Sequence, residues 1–334
     1  MSGGMSGGGA TAEGLIISRA AIAGPFEGVT LHPSTPGFDR PGNLAKWADE
    51  PRITACFEEL IEGVSVAASR PQHQATVRFA NLEAANIRNT PLVDLKGPGR
   101  GLLKQQLDLV AAYADLRGDR SAEIIEQLTP PIGYWSSVLG LSAHRHKKTL
   151  QVLDIAQTLS VHVEMRLKHI FSVLRPVELS PQIQPMIPTP GHGSWPSGHA
   201  TEAFTMATLL EAFMNRIRPG KHDGQHSQLQ LQRLAARIAV NRTVAGVHYP
   251  VDSACGRLLG TSLGEFLVAR ATGGSVHHRG FNADLFVEPD GSPRDFKLSD
   301  PLNVEPYSAG RSAIALPKAE SLAWLWNEAL KEWS

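Results

Sequence analysis

Cysteine is nearly absent from this chain of 334 residues: Cys56 and Cys255 are the only two. Neither has a partner at zinc-ligand spacing, and one distant pair makes no disulfide framework. Both thiols read as small buried apolar groups, compatible with a reducing compartment. Excess charge is missing too. Lys and Arg number 32, Asp and Glu 32, for a formal net charge of +0. That argues against a nucleic-acid partner or a charged membrane surface. No stretch stays apolar and uncharged for the ~18 residues that a membrane span requires. The start, Met1 to Gly14, is rich in Gly and Ser and lacks a basic region followed by an apolar one. It reads as a disordered leader and not as a secretory signal. A Gly-rich phosphate loop after a strand and an internal repeat are also missing. These absences predict a cytoplasmic protein.

What is present is a large apolar share, 42%, against 19% charged residues, enough for a sizeable core. Residues 1–42 mix Gly and Pro with apolar residues and read as a flexible or irregular lead-in. From Asn43 apolar residues recur at three and four positions, with Ile53, Cys56, Phe57, Leu60, Ile61 and Val64 on one face. The same period predicts helices over 71–90 (Val77, Leu82 and Ile87 inward), 102–116, 122–128 and 132–141, with a break at Pro130-Pro131. The longest run is 148–174, stopped by Pro176. Helices are predicted again over 200–214, 229–247 and 251–271, with a polar loop at 219–227. Glu202 and Glu211 read as polar interruptions. Residues 272–318 look irregular, and 322–333 closes the chain with a short amphipathic helix. Alternating runs joined by Asn-Gly-type turns are lacking, so little sheet is expected. The expected fold class is all-α, a helical bundle: a catalytic domain over 43–271, with 272–334 packed on it.

Three groups of residues carry chemistry. In Ser194-Trp195-Pro196-Ser197-Gly198-His199-Ala200, Pro196 suits the first turn of a helix. Ser197, Gly198 and His199 then sit at a helix N-terminus, where free N–H groups and the dipole favour an anion. Gly198 lets an oxyanion approach the backbone, and His199 can exchange a proton near neutrality. Lys168 and Arg175 stand seven residues apart, close to two turns, so both cations share a helix face. They suit an oxyanion, although taken alone two such cations more often face solvent at a helix C-terminus. Third come Arg242, His248 and Asp252. Pro250 opens a new helix, and Asp252 in its first turn reaches back to one ring nitrogen of His248. That pairing fixes the tautomer and makes the other nitrogen a nucleophile or a metal ligand; an ordinary capping acid beside a satisfied histidine is the alternative.

Lys168 with Arg175-Pro176, then Pro196-Ser197-Gly198-His199, then Arg242, His248 and Asp252 resemble, in order and spacing, the three signature motifs of the type 2 phosphatidic acid phosphatase and vanadium-dependent haloperoxidase superfamily. Asn241 departs from the pattern, which usually has Ser there. The resemblance implies a helical bundle of the vanadium haloperoxidase and acid phosphatase type with one oxyanion pocket. Lys168, Arg175, Ser197, the N–H of Gly198 and Arg242 would hold equatorial oxygens. His248 would be the apical group, the metal ligand, oriented by Asp252, and His199 the acid/base opposite. Vanadate is the implied cofactor, and phosphate fits the same pocket.

Two chemistries follow from the resemblance. A haloperoxidase would oxidise halide with hydrogen peroxide, His199 aiding peroxide deprotonation, before halogenation of a small organic substrate. An acid-phosphatase-type phosphomonoesterase would work through a phosphohistidine at His248. His192 stands seven residues before His199, where bromide-oxidising members of the haloperoxidase branch carry a second histidine; the alternative is a plain loop histidine among glycines. The expectation is a soluble vanadium-dependent haloperoxidase favouring bromide. A binding relic without turnover is disfavoured, because binding alone needs neither His199 nor His248. The run from His144 to Lys148 reads as a solvated helix start. Trp324, Trp326 and Trp333 read as docking the last helix, on its own chain or across a homodimer.

Overall fold

Small and apolar residues dominate the segment from Pro250 to Thr272, most of them buried, and it forms the helix at the centre of the fold. The computed structural model describes residues 18–19, 21–28, 31, 37–82, 84–129, 132–217 and 222–333. The leader Met1 to Gly14 and Pro130-Pro131 fall outside them. The chain divides into two units, Met1–Arg52 and Ile53–Ser334. In the first, a 3-10 turn at Pro41–Lys46 is tied to Arg52, whose Nε donates to the Leu44 carbonyl at 2.9 Å.

Helix α1 runs Asp49–Ile61, α2 Arg100–Tyr113, α3 Arg117–Glu126, α4 Ile132–Leu139 and α5 Lys147–Phe171. Then follow α6 Gly198–Ile217, α7 His222–Val244, α8 Pro250–Thr272 and α9 Glu320–Lys331. Central α8 packs mainly against α6 on one side. Gly256, Gly260 and Gly264 recur every fourth residue there. A Cβ on each would lie 2.8 Å from the Ser197 carbonyl oxygen, 2.3 Å from that of Thr201 and 3.0 Å from that of Thr205. The two helices therefore meet backbone to backbone, and that contact sets where Ser197 stands. None of the helices in the described residues is long and apolar enough to cross a membrane.

The all-α expectation is wrong: a five-stranded mixed sheet stands beside the helices, so the fold is α/β. Strands β1 (Val64–Ser69), β2 (Gln74–Ala80), β3 (Asn89–Lys96), β4 (Ser275–Asn282) and β5 (Tyr307–Ala315) lie in that order. Neighbours are antiparallel except β3 and β4, which run parallel with Val93 opposite Arg279. Phe79 of β2 meets Phe266 of α8 at 5.6 Å between ring centroids, so one sheet face rests on α8. The helix predicted over 71–90 is thus two strands and their connection. Val77 is buried, whereas Leu82 and Ile87 are exposed. The irregular reading of 272–318 is corrected as well, since it supplies β4 and β5. Physical reasons hid these strands. Ala and Ser fill β1 and β5, Pro91 interrupts β3, and bulges at Val77/Arg78 and His277/Arg279 break the two-residue period. The hairpin between β1 and β2 turns through His73 at φ 51°, with no Asn-Gly signal. Part of the loop expected at 219–227 is helix, as α7 already begins at His222.

The last helix is held at both ends by carboxylates distant in sequence. Glu59 accepts from the first N–H groups of α9, those of Glu320 and Ser321. Just past its end, Glu332 accepts from the N–H of Lys148 at 2.6 Å and of Thr149 at 2.8 Å, capping α5. Trp333 lies on His146 with centroids 4.4 Å apart, and Trp326 stacks on Phe213 at 4.0 Å. So the start of α5 is only partly solvated, and the tryptophans dock α9 on its own chain. Replacing Glu332 by Ala removes an N-terminal cap worth about 1 kcal/mol. The midpoint of thermal unfolding should fall by about 2–4 °C; an unchanged midpoint would show the cap to be idle.

Candidate active site

Four pieces of chain converge on one buried cluster. The first is the end of α5. Lys168 is on its last turn, almost fully buried, with Nζ 2.6 Å from the Pro196 carbonyl, 3.3 Å from that of Ser194 and 3.4 Å from that of Gly193. Burial pulls its pKa down to about 8, opposed by Glu164. Three carbonyl acceptors match the three hydrogens of an ammonium, and they hold the charged form. Ser172 then takes a left-handed conformation at φ 47° and ends the helix before Pro176 is reached. This brings Arg175 inward.

Arg175 is the hub. Its Nη1 donates to the Val247 carbonyl at 2.7 Å and lies 3.1 Å from His248 Nε2. Its Nη2 lies 3.2 Å from His192 Nδ1, and its Nε donates to the His192 carbonyl at 3.1 Å. A guanidinium can only donate, so Nε2 of His248 is the lone-pair nitrogen. The ring hydrogen is therefore on Nδ1, 2.8 Å from Asp252 Oδ2. Asp252 is in the first turn of α8, and the same oxygen accepts from the Tyr249 N–H at 3.1 Å. Burial drives both partners toward neutrality: it lowers His248 well below the usual histidine range, helped by the nearby Arg175 charge, and raises Asp252 to about 7.

The turn carrying His248 is pinned from below. Ile124, Ile187, Val244, Ala245 and Val247 form an apolar cluster. Arg117 of α3 donates to the carbonyls of Val244 at 3.0 Å, Gln184 at 2.9 Å and Ile183 at 3.1 Å.

At the α6 terminus, Ser197 caps the helix and Gly198 is its first residue, so Pro196 lies outside the first turn, behind a cis bond. The N–H groups of Gly198 and His199 open the helix and have no acceptor within it. The Ser197 N–H donates to the Asp252 carbonyl at 3.0 Å, joining this terminus to the His248 turn. Packing adds a second reason for glycine at 198. A Cβ there would lie 2.6 Å from Glu164 Oε1. Glu164 is buried one turn before Lys168, and burial lifts its carboxyl to about 8. The sequence offered a signal for it, four residues ahead of Lys168 on the same face. Glu202, read as an interruption, is half-buried, and desolvation raises its carboxyl.

His199 Nε2 donates to the Gln127 carbonyl at 3.0 Å, leaving Nδ1 as the lone pair. Burial, then Arg242, lowers its pKa to about 3, so the ring is neutral at pH 7. Arg242 is almost fully buried; burial lowers its pKa to about 10, and Nε and Nη1 lack partners. Asn241, in place of the expected Ser, turns to Gln127 and Arg120. His192 lines a cavity of about 670 Å³ with Lys168, Arg175, Met165, Leu174 and Pro190. His277 and His278 are on β4, where His278 pairs with Asp94.

Unpaired Arg242 donors, two opening N–H groups and three cations suit an oxyanion such as vanadate or phosphate. Among the described residues, no group of three or more His, Cys, Asp or Glu could hold a bare metal ion. The fold and the cluster thus define a helix-rich α/β protein with a basic, histidine-flanked buried cluster. A family model described as the PAP2 superfamily matches residues 152–272. That match supports phosphatase- or haloperoxidase-type enzyme chemistry. No curated protein matches the chain.

Proposed function

We propose that the chain is a vanadium-dependent haloperoxidase that oxidises halide, bromide preferred, with hydrogen peroxide. The observation that carries this reading is His192. It stands in an exposed loop between Gly191 and Gly193, but its Nδ1 lies against Arg175, which also touches His248, and it lines a cavity with Lys168 and Arg175. Bound at His248, vanadate supplies a Lewis-acidic centre that activates peroxide toward halide. His248 Nε2, whose lone pair faces Arg175 Nη1, would be the ligand atom, its tautomer fixed by Asp252. Arg242, with Nε and Nη1 unpartnered, and the N–H groups of Gly198 and His199 hold the oxyanion. Lys168 and Arg175 add charge and draw electron density away from the reacting oxygens. His199, neutral with a free Nδ1, takes the proton of hydrogen peroxide.

A phosphomonoesterase reading uses the same groups, with His248 Nε2 attacking phosphorus. It asks His199 to give a proton to the leaving alkoxide, against the downward pull of burial on that ring. The test is a paired assay on one vanadate-free preparation: bromide oxidation before and after adding orthovanadate, alongside hydrolysis of an aryl phosphate. Vanadate-dependent bromination is expected, and His192→Ala should cut it by about 10-fold or more while sparing any ester hydrolysis. Ester hydrolysis that vanadate inhibits, without bromination, would establish the phosphatase instead.

A further inference from the structure

Gln127 belongs to none of the three motif segments, yet it holds two of them. It follows the last residue of α3 and is fully buried. Its main-chain carbonyl accepts from His199 Nε2 at 3.0 Å. Its side-chain Oε1 accepts from Arg242 Nη2 at 2.8 Å and from Asn241 Nδ2 at 3.0 Å. The assignment of these amides is forced. Arginine only donates, so the atom facing Arg242 must be the Gln127 oxygen. The atom of Asn241 facing Arg120 Nη1, at 3.1 Å, must likewise be its oxygen, which leaves Nδ2 toward Gln127. The Gln127 Nε2 donates to Glu123 Oε1 at 3.2 Å, and Glu123 is clamped by Arg237.

The hydrogen count on Arg242 shows the effect. Nη2 has two hydrogens, one for Gln127 Oε1 and one for the Ile124 carbonyl at 3.3 Å. Both are engaged, so the guanidinium cannot turn that edge elsewhere. Nε and Nη1 remain unpaired, buried beside His199 and His248. We propose that Gln127 is a positioning residue for the oxyanion pocket. Its amide aims the free edge of Arg242 at the bound anion, and its carbonyl fixes His199 with Nδ1 as the lone pair. This rests on reading the cluster as an oxyanion site. It also gives Asn241 a role: an amide there both braces the Gln127 oxygen and accepts from Arg120, which a serine hydroxyl is too short to do.

The test is a double-mutant cycle on the full chain, read as the dissociation constant of inorganic orthovanadate by equilibrium dialysis. Gln127→Met keeps the shape and the main-chain carbonyl but removes the acceptor. It should weaken binding by about 10-fold, as loss of an orienting partner does. Arg242→Ala should weaken it at least as much. In the Arg242→Ala background, Gln127→Met should change it by less than about twofold, because Gln127 acts through that arginine. Additive losses would mean that Gln127 serves only general integrity, and would overturn the proposal. So would wild-type affinity in Gln127→Met. If Gln127→Met fails to fold, Gln127→Leu, which likewise keeps the main-chain carbonyl and lacks the acceptor, takes its place with the same loss of about 10-fold expected; wild-type affinity there overturns the proposal. A wild-type chain that binds neither orthovanadate nor inorganic phosphate overturns the oxyanion reading itself, and this inference with it.

Discussion

His248→Ala should reduce turnover by on the order of 10⁴-fold, whichever of the two chemistries operates, while the protein stays folded. The size follows from what the ring does. Nε2 is a lone-pair nitrogen facing Arg175 Nη1, and Asp252 fixes it there; His192 Nδ1 also faces Arg175, but from a loop with no carboxylate behind it. No neighbouring group replaces it: Lys168 is an ammonium with three carbonyl partners, and His199 is tied to a different segment. The fold should survive because Asp252 keeps its bond to the Tyr249 N–H, and Arg175 keeps the Val247 carbonyl. Addition of free imidazole should restore part of the activity by filling the space left. Turnover within tenfold of wild type, in the vanadate-loaded bromination assay and in ester hydrolysis alike, would remove His248 from the chemistry.

The largest effect on stability is expected from Gly260→Ala. Alanine favours a helix over glycine by about 1 kcal/mol, so an exposed site would gain. Gly260 is not such a site. Its new methyl would stand 2.3 Å from the Thr201 carbonyl oxygen, 2.9 Å from Phe204 Cβ and 3.0 Å from the Thr205 nitrogen. Two of the three are main chain, which cannot swing aside. Overpacking of this kind costs about 1–3 kcal/mol or more and outweighs the propensity gain. The thermal midpoint should fall by roughly 3–10 °C. Orthovanadate affinity should fall too, since α6 must retreat from α8 and takes Ser197 and Gly198 with it. Gly101→Ala in α2, with nothing within 4 Å of the new methyl, is the control and should be neutral or slightly stabilising. Equal midpoints for the two variants would contradict the close helix contact.

The legible part of this chain is where one period runs unbroken. Helices α5, α6 and α8 are long enough for their apolar spacing to show, and the three motif groups lie on or beside them. Strands β1 to β5 were hidden because Ala, Ser, Pro91 and two bulges blur alternation, and because β3 finds its parallel partner far along the chain. Within the site, His248 and Asp252 could be paired from spacing alone, since Pro250 opens a helix between them and Asp252 falls in its first turn. Gln127 could not. Its partners stand 72 and 115 residues away, and nothing local to Gln127-Leu128-Thr129 distinguishes it from a surface glutamine. Glu164 lay in between: its place on the Lys168 face was readable, but its pressure on Gly198 needed coordinates.

The parallel pairing of β3 with β4 has a consequence for biosynthesis. Val93 leaves the ribosome 186 residues before Arg279 does, a wait of roughly 10–40 s at typical translation rates. Throughout that interval the nascent chain offers β3 with one edge unpaired. A misdirected twin can find that edge first, so slow decoding between the two strands should penalise yield more than slow decoding after β5.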